Sequence, residues 1–168
     1  AVIELATTDV TRAQVRELEQ GLPVTGALKA VTSAVVKARV AGELQGLTVR
    51  EGDAVKAGQV LARIEATEYQ ARLRQAQDQA NAAKVQIDIA QRQFDNNKAL
   101  MEKGFISKTA LDTSDSTLSG AKASYQAAMA AADVARKTLA DTVLTAPISG
   151  LISQRLAQSG ERVPVDAR

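Results

Sequence analysis

One stretch of this chain is written twice. Residues 38–55 (ARVAGELQGLTVREGDAV) align without a gap on residues 146–163 (APISGLISQRLAQSGERV), at an offset of 108 positions. Ala38 matches Ala146, Val40 matches Ile148, Gly42 matches Gly150 and Leu44 matches Ile152. Gly52 matches Gly160, Asp53 matches Glu161 and Val55 matches Val163. Two glycines ten positions apart, each beside alternating β-branched residues, read as a strand, a tight turn and a second strand. Gly42 is the position expected to strain on substitution, through a positive φ. A copy this short buries little alone, so the two halves are expected to pair into one small β-sandwich. Whatever lies between the copies is then an insertion growing out of that sandwich.

The insertion has a helical period. From Tyr69 to Lys103 the chain contains no glycine or proline. Tyr69, Leu73, Ala76, Ala80, Ala83, Ile87, Ala90, Phe94, Asn97 and Met101 follow a 4-3-4-3 spacing, with Gln, Asp, Lys and Arg between them. That is the seam of a coiled coil. A second seam runs through Leu111, Ser114, Leu118, Ala121, Tyr125, Ala128, Ala132, Ala135, Leu139 and Thr142. The two are mirror images about position 106: Met101 matches Leu111, Phe94 matches Leu118, Ile87 matches Tyr125 and Leu73 matches Leu139. The polar positions Asn97 and Ser114 also fall opposite each other. The spacing therefore predicts one long antiparallel α-helical hairpin of roughly 35 residues per helix, projecting about 50 Å.

Its tip carries local punctuation. Gly104 is placed to end the first helix in the left-handed conformation, and Ser107 to cap the second. Phe105 and Ile106 between them either cover the last Met101–Leu111 layer or meet a partner, and the two uses are compatible.

Composition narrows the chemistry. Of 168 residues, 21 are basic and 19 acidic, and only 2% are aromatic, which argues against a dedicated nucleic-acid surface. Much of the apolar share is alanine, which suits thin, elongated packing better than a globular core. The absence of Cys and His removes thiolate and imidazole catalysis and nearly every zinc or copper site. No run of apolar residues is long enough to span a membrane. Asp78, Asp88, Asp95 and Glu102 are interleaved with Lys84, Arg92 and Lys98 on the outer side of a rod, which offers no cleft to perturb their pKa values. Gly52-Asp53 and Gly58-Gln59 precede strands rather than helices, and the P-loop pattern is absent. Met101 and Met129 are too few for a methionine metal relay. The reading is therefore of a non-enzyme without cofactor or metal.

The repeated half resembles the lipoyl/biotinyl carrier fold. Its pattern of glycine after the first strand, EGD, then VxxGQxL is met by Gly42, Glu51-Gly52-Asp53 and Val55 to Leu61. The position implied for the carrier lysine is Glu68, whose carboxylate cannot take lipoate or biotin in amide linkage. A split lipoyl domain with an α-hairpin in its turn is similar to the periplasmic adaptors of bacterial tripartite pumps, also called membrane fusion or HlyD-like proteins. TAPISGLIS at 145–153 follows that family's second half closely. The resemblance covers roughly residues 30–168 and is nearest the branch serving resistance-nodulation-division (RND) transporters.

The resemblance implies an α+β fold in four parts. Residues 1–34 would supply strands of an incomplete β-barrel or membrane-proximal region. Residues 35–66 would form the first lipoyl-like half, 67–142 the hairpin and 143–168 the second half. Val2-Ile3-Glu4-Leu5 and Gln14-Val15-Arg16-Glu17-Leu18 read as the N-terminal strands, with their partners in sequence beyond Arg168. The implied function is that of a non-catalytic adaptor between an inner-membrane RND efflux transporter and an outer-membrane channel. It would work as a homo-oligomer in the periplasm, held to the inner membrane by a segment absent from this chain, and would contact no nucleic acid. An adaptor for an ABC-type exporter or type I secretion system, and a purely structural coiled-coil spacer, are the alternatives.

In the drug-efflux branch the tip carries an arginine, a leucine four residues later and a serine seven after that. The matching positions are Asn96, Leu100 and Ser107, so the arginine is replaced. Leu100 and Ser107 also admit simpler roles, in packing and in helix capping.

Overall fold

The computed structural model describes residues 2–4, 6–18 and 20–166. The chain divides into a unit of residues 1–33 and a unit of residues 34–168.

In the first unit the described residues of the segments expected to supply barrel strands are unpaired. Among its described residues no strand forms, and Val2, Ile3, Val15 and Leu18 are fully open to solvent; Leu5 lies outside the described residues. One turn stands out, in which Asp9 N–H donates to Ala6 O (2.9 Å) and Ala6 N–H donates to Asp9 Oδ2 (3.1 Å). A strand is stabilised by a neighbour's ladder and by a buried face. These segments have the alternation of strands but neither of those supports.

The second unit is ordered by the repeat. Its elements are β1 (Gly42–Gln45), β2 (Ala54–Val55), β3 (Val60–Ile64), α1 (Thr67–Glu102), α2 (Lys108–Ala140), β4 (Val143–Thr145), β5 (Gly150–Leu151) and β6 (Arg162–Val163). A four-stranded sheet has the order β4-β3-β1-β6, and β2 pairs with β5 in a second sheet.

The two halves exchange hydrogen bonds reciprocally. Leu44 N–H donates to Glu161 O (2.8 Å), and its counterpart Ile152 N–H donates to Asp53 O (3.0 Å). Gly160 N–H reaches Leu44 O (2.7 Å) as Gly52 N–H reaches Ile152 O (2.8 Å). The strand registers obey the same exchange: Gly42 pairs with Val163, and Val55 with Gly150. Each half thus completes the backbone bonding of the other, which neither could do alone.

The turns repeat too. Arg50 N–H donates to Asp53 Oδ2 (2.7 Å), and the matching Gln158 N–H donates to Glu161 Oε2 (3.0 Å). Gly52 (φ 89) and Gly160 (φ 87) supply the left-handed residue inside each turn. The equivalence runs past Val163, because Gly58 (φ 81) and Asp166 (φ 64) share that conformation and donate to Ala146 O and Ala38 O.

Gly42 corrects an expectation. Neither it nor Gly150 has a positive φ; both begin strands. Gly42 is required by close approach instead, since a Cβ there would lie 2.5 Å from Ile64 Cγ2. Ile64 is 2% exposed and sits in a core cluster with Ala38, Val40, Leu44, Ala62 and Val163. A second cluster, Val49, Val55, Leu61 and Ala146, shares Leu47 with the first at its edge.

α1 and α2 leave and rejoin the sheet at the neighbouring strands β3 and β4 and pack on one another. Every seam position from Tyr69 to Met101 and from Leu111 to Thr142 is buried or half-buried, with Ala80, Ala90, Ser114, Leu118, Ala132 and Thr142 fully so. Outside this stripe the side chains of both helices are mostly exposed, so packing along it stabilises them beyond their intrinsic propensity. Ser114 Oγ donates to Leu111 O (2.7 Å), and Asn97 Oδ1 accepts from Gln93 Nε2 (3.1 Å). The polar seam residues are therefore satisfied within their own helices.

Candidate partner-docking site

The end of the helix pair is closed by its own backbone. Gly104 N–H donates to Met101 O (2.9 Å) and Phe105 N–H to Leu100 O (2.9 Å), with Gly104 at φ 78. This is a Schellman motif, which satisfies the last carbonyls of α1. α2 opens on Ser107, whose Oγ accepts from Ala110 N–H (3.3 Å). The turn is thus fixed by backbone bonds, and its side chains are left over for other use.

Those side chains divide. Phe105 is 73% exposed and Leu100 41%, so an apolar pair stands in solvent at the tip. Asn96 is exposed as well, one turn before Leu100 on the same flank. Ile106 and Met101 are half-buried, so Ile106 serves partly as a cover. The Ser107 hydroxyl is engaged in capping. Leu100 stands outside the seam, so it is not a packing residue of the helix pair.

At the other end, the pair is tied to the sheet by bonds that the sequence did not reveal. Tyr69 Oη donates to Ala41 O (2.7 Å), joining the first turn of α1 to the segment before β1. Thr67 N–H donates to Glu65 Oε1 (3.0 Å), which supplies the start of α1 with an acceptor that Ala66 lacks. Hydrogen bonds from Thr67, side chain first and backbone second, hold the Glu65 carboxyl below its ordinary pKa.

Asp141, just after α2, accepts from Lys137 Nζ (2.6 Å) and from Arg39 Nη1 (3.4 Å). The Lys137 hydrogen bond chiefly holds its carboxyl below the ordinary value, partly opposed by desolvation. A depressed carboxylate stabilises the fold above its unfolded pKa and loses that contribution as pH falls through the folded one. Both cations are largely exposed, so the gain is about 1 kcal/mol at most. Asp141→Asn is accordingly expected to lower the melting temperature slightly at neutral pH. Melting curves of the two forms should converge once the pH drops below the ordinary aspartate range.

Among the described residues no cluster of acidic side chains is placed to hold a metal ion, and no helix is long and apolar enough to cross a membrane.

Residues 32–166 match the family model described as the RND MFP, barrel-sandwich hybrid domain. The chain belongs to the RND MFP family. Multidrug resistance protein MdtA of Yersinia pestis (strain Pestoides F) is 33% identical over 159 residues, which are 95% of this chain and 36% of MdtA. MdtA of Yersinia enterocolitica is 32% identical over 138 residues, 82% of this chain and 31% of that one. The chain thus spans about a third of the length of the curated relatives it matches. Among solved structures, a MacA–MexA chimeric protein containing the Pseudomonas aeruginosa MexA alpha-hairpin domain has a TM-score of 0.60 and 28% identity, covering 82% of this chain and 44% of the chimera. ZneB from Cupriavidus metallidurans has a TM-score of 0.55 at 24% identity, covering 78% of this chain and 56% of ZneB, a likeness of fold alone. The family found is the RND branch of the membrane fusion proteins, the one the resemblance implied.

Proposed function

We propose that this RND MFP chain is the core of a non-catalytic periplasmic adaptor in a multidrug efflux assembly. It links an inner-membrane RND transporter to an outer-membrane channel, and the tip of its helix pair docks on the channel. Copies stand side by side, so that their sheets stack and their coiled-coil hairpins bundle into a tube. A segment outside this chain holds the protein to the inner membrane. The observation that carries the reading is the pairing of a backbone-closed turn with exposed Phe105 and Leu100. Leaving two large apolar groups in water at the end of a polar rod is unfavourable unless a partner covers them. Membership of the RND MFP family favours this transporter class over an ABC-type exporter, and a MdtA relative named for multidrug resistance supports drugs as the cargo.

The tip can be tested without disturbing the seam. Leu100→Glu and Phe105→Glu in the full-length protein are expected to abolish efflux-dependent resistance in cells while leaving expression and melting temperature unchanged. Resistance equal to that of the unaltered protein would contradict docking by the tip.

A further inference from the structure

The two helices keep their charges on one side. Lettering the seam positions a and d places Ala80, Ile87 and Phe94 at a in α1, and Leu118, Tyr125 and Ala132 at a in α2. Every charged residue of α1 from Leu73 onward, and every one of α2, then falls at b, e or f. Lys84, Asp88, Asp95 and Lys98 occupy e and b on α1, and Asp115, Lys122, Asp133 and Arg136 occupy them on α2.

From Leu73 onward the c and g positions of the helices carry none; the charged pair Glu68 (c) and Arg72 (g) is confined to the first turns of α1, next to the sheet. On α1 the central ones are Gln79, Ala82, Gln86, Ile89, Gln93 and Asn96; on α2 they are Thr117, Gly120, Ser124, Ala127, Ala131 and Val134, and all are exposed. Because the second helix runs back along the first, its g flank lies on the same side as the g flank of α1. The rod therefore has one charged face and one neutral face, continuous over both helices.

The outermost f positions are complementary between copies. On α1 they include Asp78 and Val85, and on α2 Ala123, Ala130 and Lys137. In the mirror register about position 106, Val85 (53% exposed) stands at a level between Ala123 and Ala130. Asp78 stands three residues, about 4.5 Å, from the level of Lys137. Setting α1 of one copy against α2 of the next brings a large side chain over two small ones and opposite charges near each other. A head-to-tail contact whose rotation closes generates a ring, and this one turns the neutral faces of all copies to the same side.

We propose that this neutral face is the inner wall of the tube, and that it passes solutes irrespective of their charge; the inference rests on the tube in the function proposed above. A fixed charge on the wall would be repeated by every copy at one height, and a narrow low-dielectric passage focuses such a field into a barrier or trap. Amides, hydroxyls and alanines, interrupted by exposed Ile89 and Val134, give a wall without that selection. The mixed charges on the opposite face suit an outer surface in bulk water.

Single cysteines test the assignment in the full-length protein; this chain has no native thiol, and any cysteine outside it is first replaced by serine. Ala82→Cys and Ser124→Cys probe the neutral face; Asn81→Cys and Gln126→Cys probe the charged one. In broken cell envelopes a small methanethiosulfonate is expected to label all four. A maleimide carried on a bulky polymer is expected to label only Asn81→Cys and Gln126→Cys. Labelling of Ala82→Cys and Ser124→Cys by the polymer reagent, or by neither reagent, would overturn the assignment. A Val85→Cys, Ala130→Cys double variant separates the two levels of failure. A disulfide between copies with the polymer pattern reversed sinks the inner-wall assignment alone, whereas polymer labelling of all four sites with no disulfide sinks the tube as well.

Discussion

Replacing Leu118 by aspartate is expected to cost the helix pair about 4 kcal/mol, the penalty of burying a carboxylate without a partner together with the lost apolar packing. Leu118 is 4% exposed, in the seam level matched with Phe94. The effect should be cooperative. Helices of this composition are marginal when separated, so opening the seam removes helix content as well as contact. The readout is the helical circular dichroism signal and its melting temperature. Ser119→Asp, one position away at an exposed site, is expected to melt within about 0.5 kcal/mol of the unaltered chain. Equal melting of Leu118→Asp and the unaltered chain would contradict the packed seam.

The second large effect is expected at Gly42 and not at its repeat partner. Gly42→Val places a branched side chain against Ile64 Cγ2, a methyl group on a stiff, β-branched and fully buried residue. Overpacking of this kind costs about 1–3 kcal/mol or more. Gly150 occupies the matching position, yet nothing lies within 4 Å of a Cβ built there. Gly150→Val should therefore be nearly neutral. Denaturant melts of the two variants decide the point, and equal losses would contradict the stated cause. The position that matches Ile64 in the second half would be 172, beyond Arg168, so the contrast between the two glycines applies to this chain as it stands.

What the sequence revealed, and what it hid, follows from the range of the forces involved. The seams from Tyr69 to Met101 and from Leu111 to Thr142 were legible because a helix imposes its period on whatever it buries. Gly104 and Ser107 were legible because a cap is decided within four residues. The pairing of the halves was legible through the repeat, though the role of Gly42 was not, since close approach to Ile64 depends on a neighbouring strand. Val2-Ile3-Glu4 and Gln14 to Leu18 show the converse limit: alternation marks a capacity for strand, and only a partner strand realises it. At the site, Leu100, Phe105 and Asn96 stand exposed as a docking tip requires, while Ile106 and Ser107 are partly spent on the turn itself. The ties through Tyr69, Glu65 and Asp141 were illegible because each joins residues whose proximity is set by the fold.

Crosslinking from the tip tests the docking role most directly. Lys103 is the better handle than Ser107, whose hydroxyl caps α2, and it is exposed at the end of α1. Lys103→Cys in the full-length protein, carrying a photo-crosslinker and irradiated in living cells, is expected to yield an adduct with an outer-membrane channel. Adducts with other copies of the chain alone, or none at all, would contradict the adaptor account and leave the helix pair as a spacer.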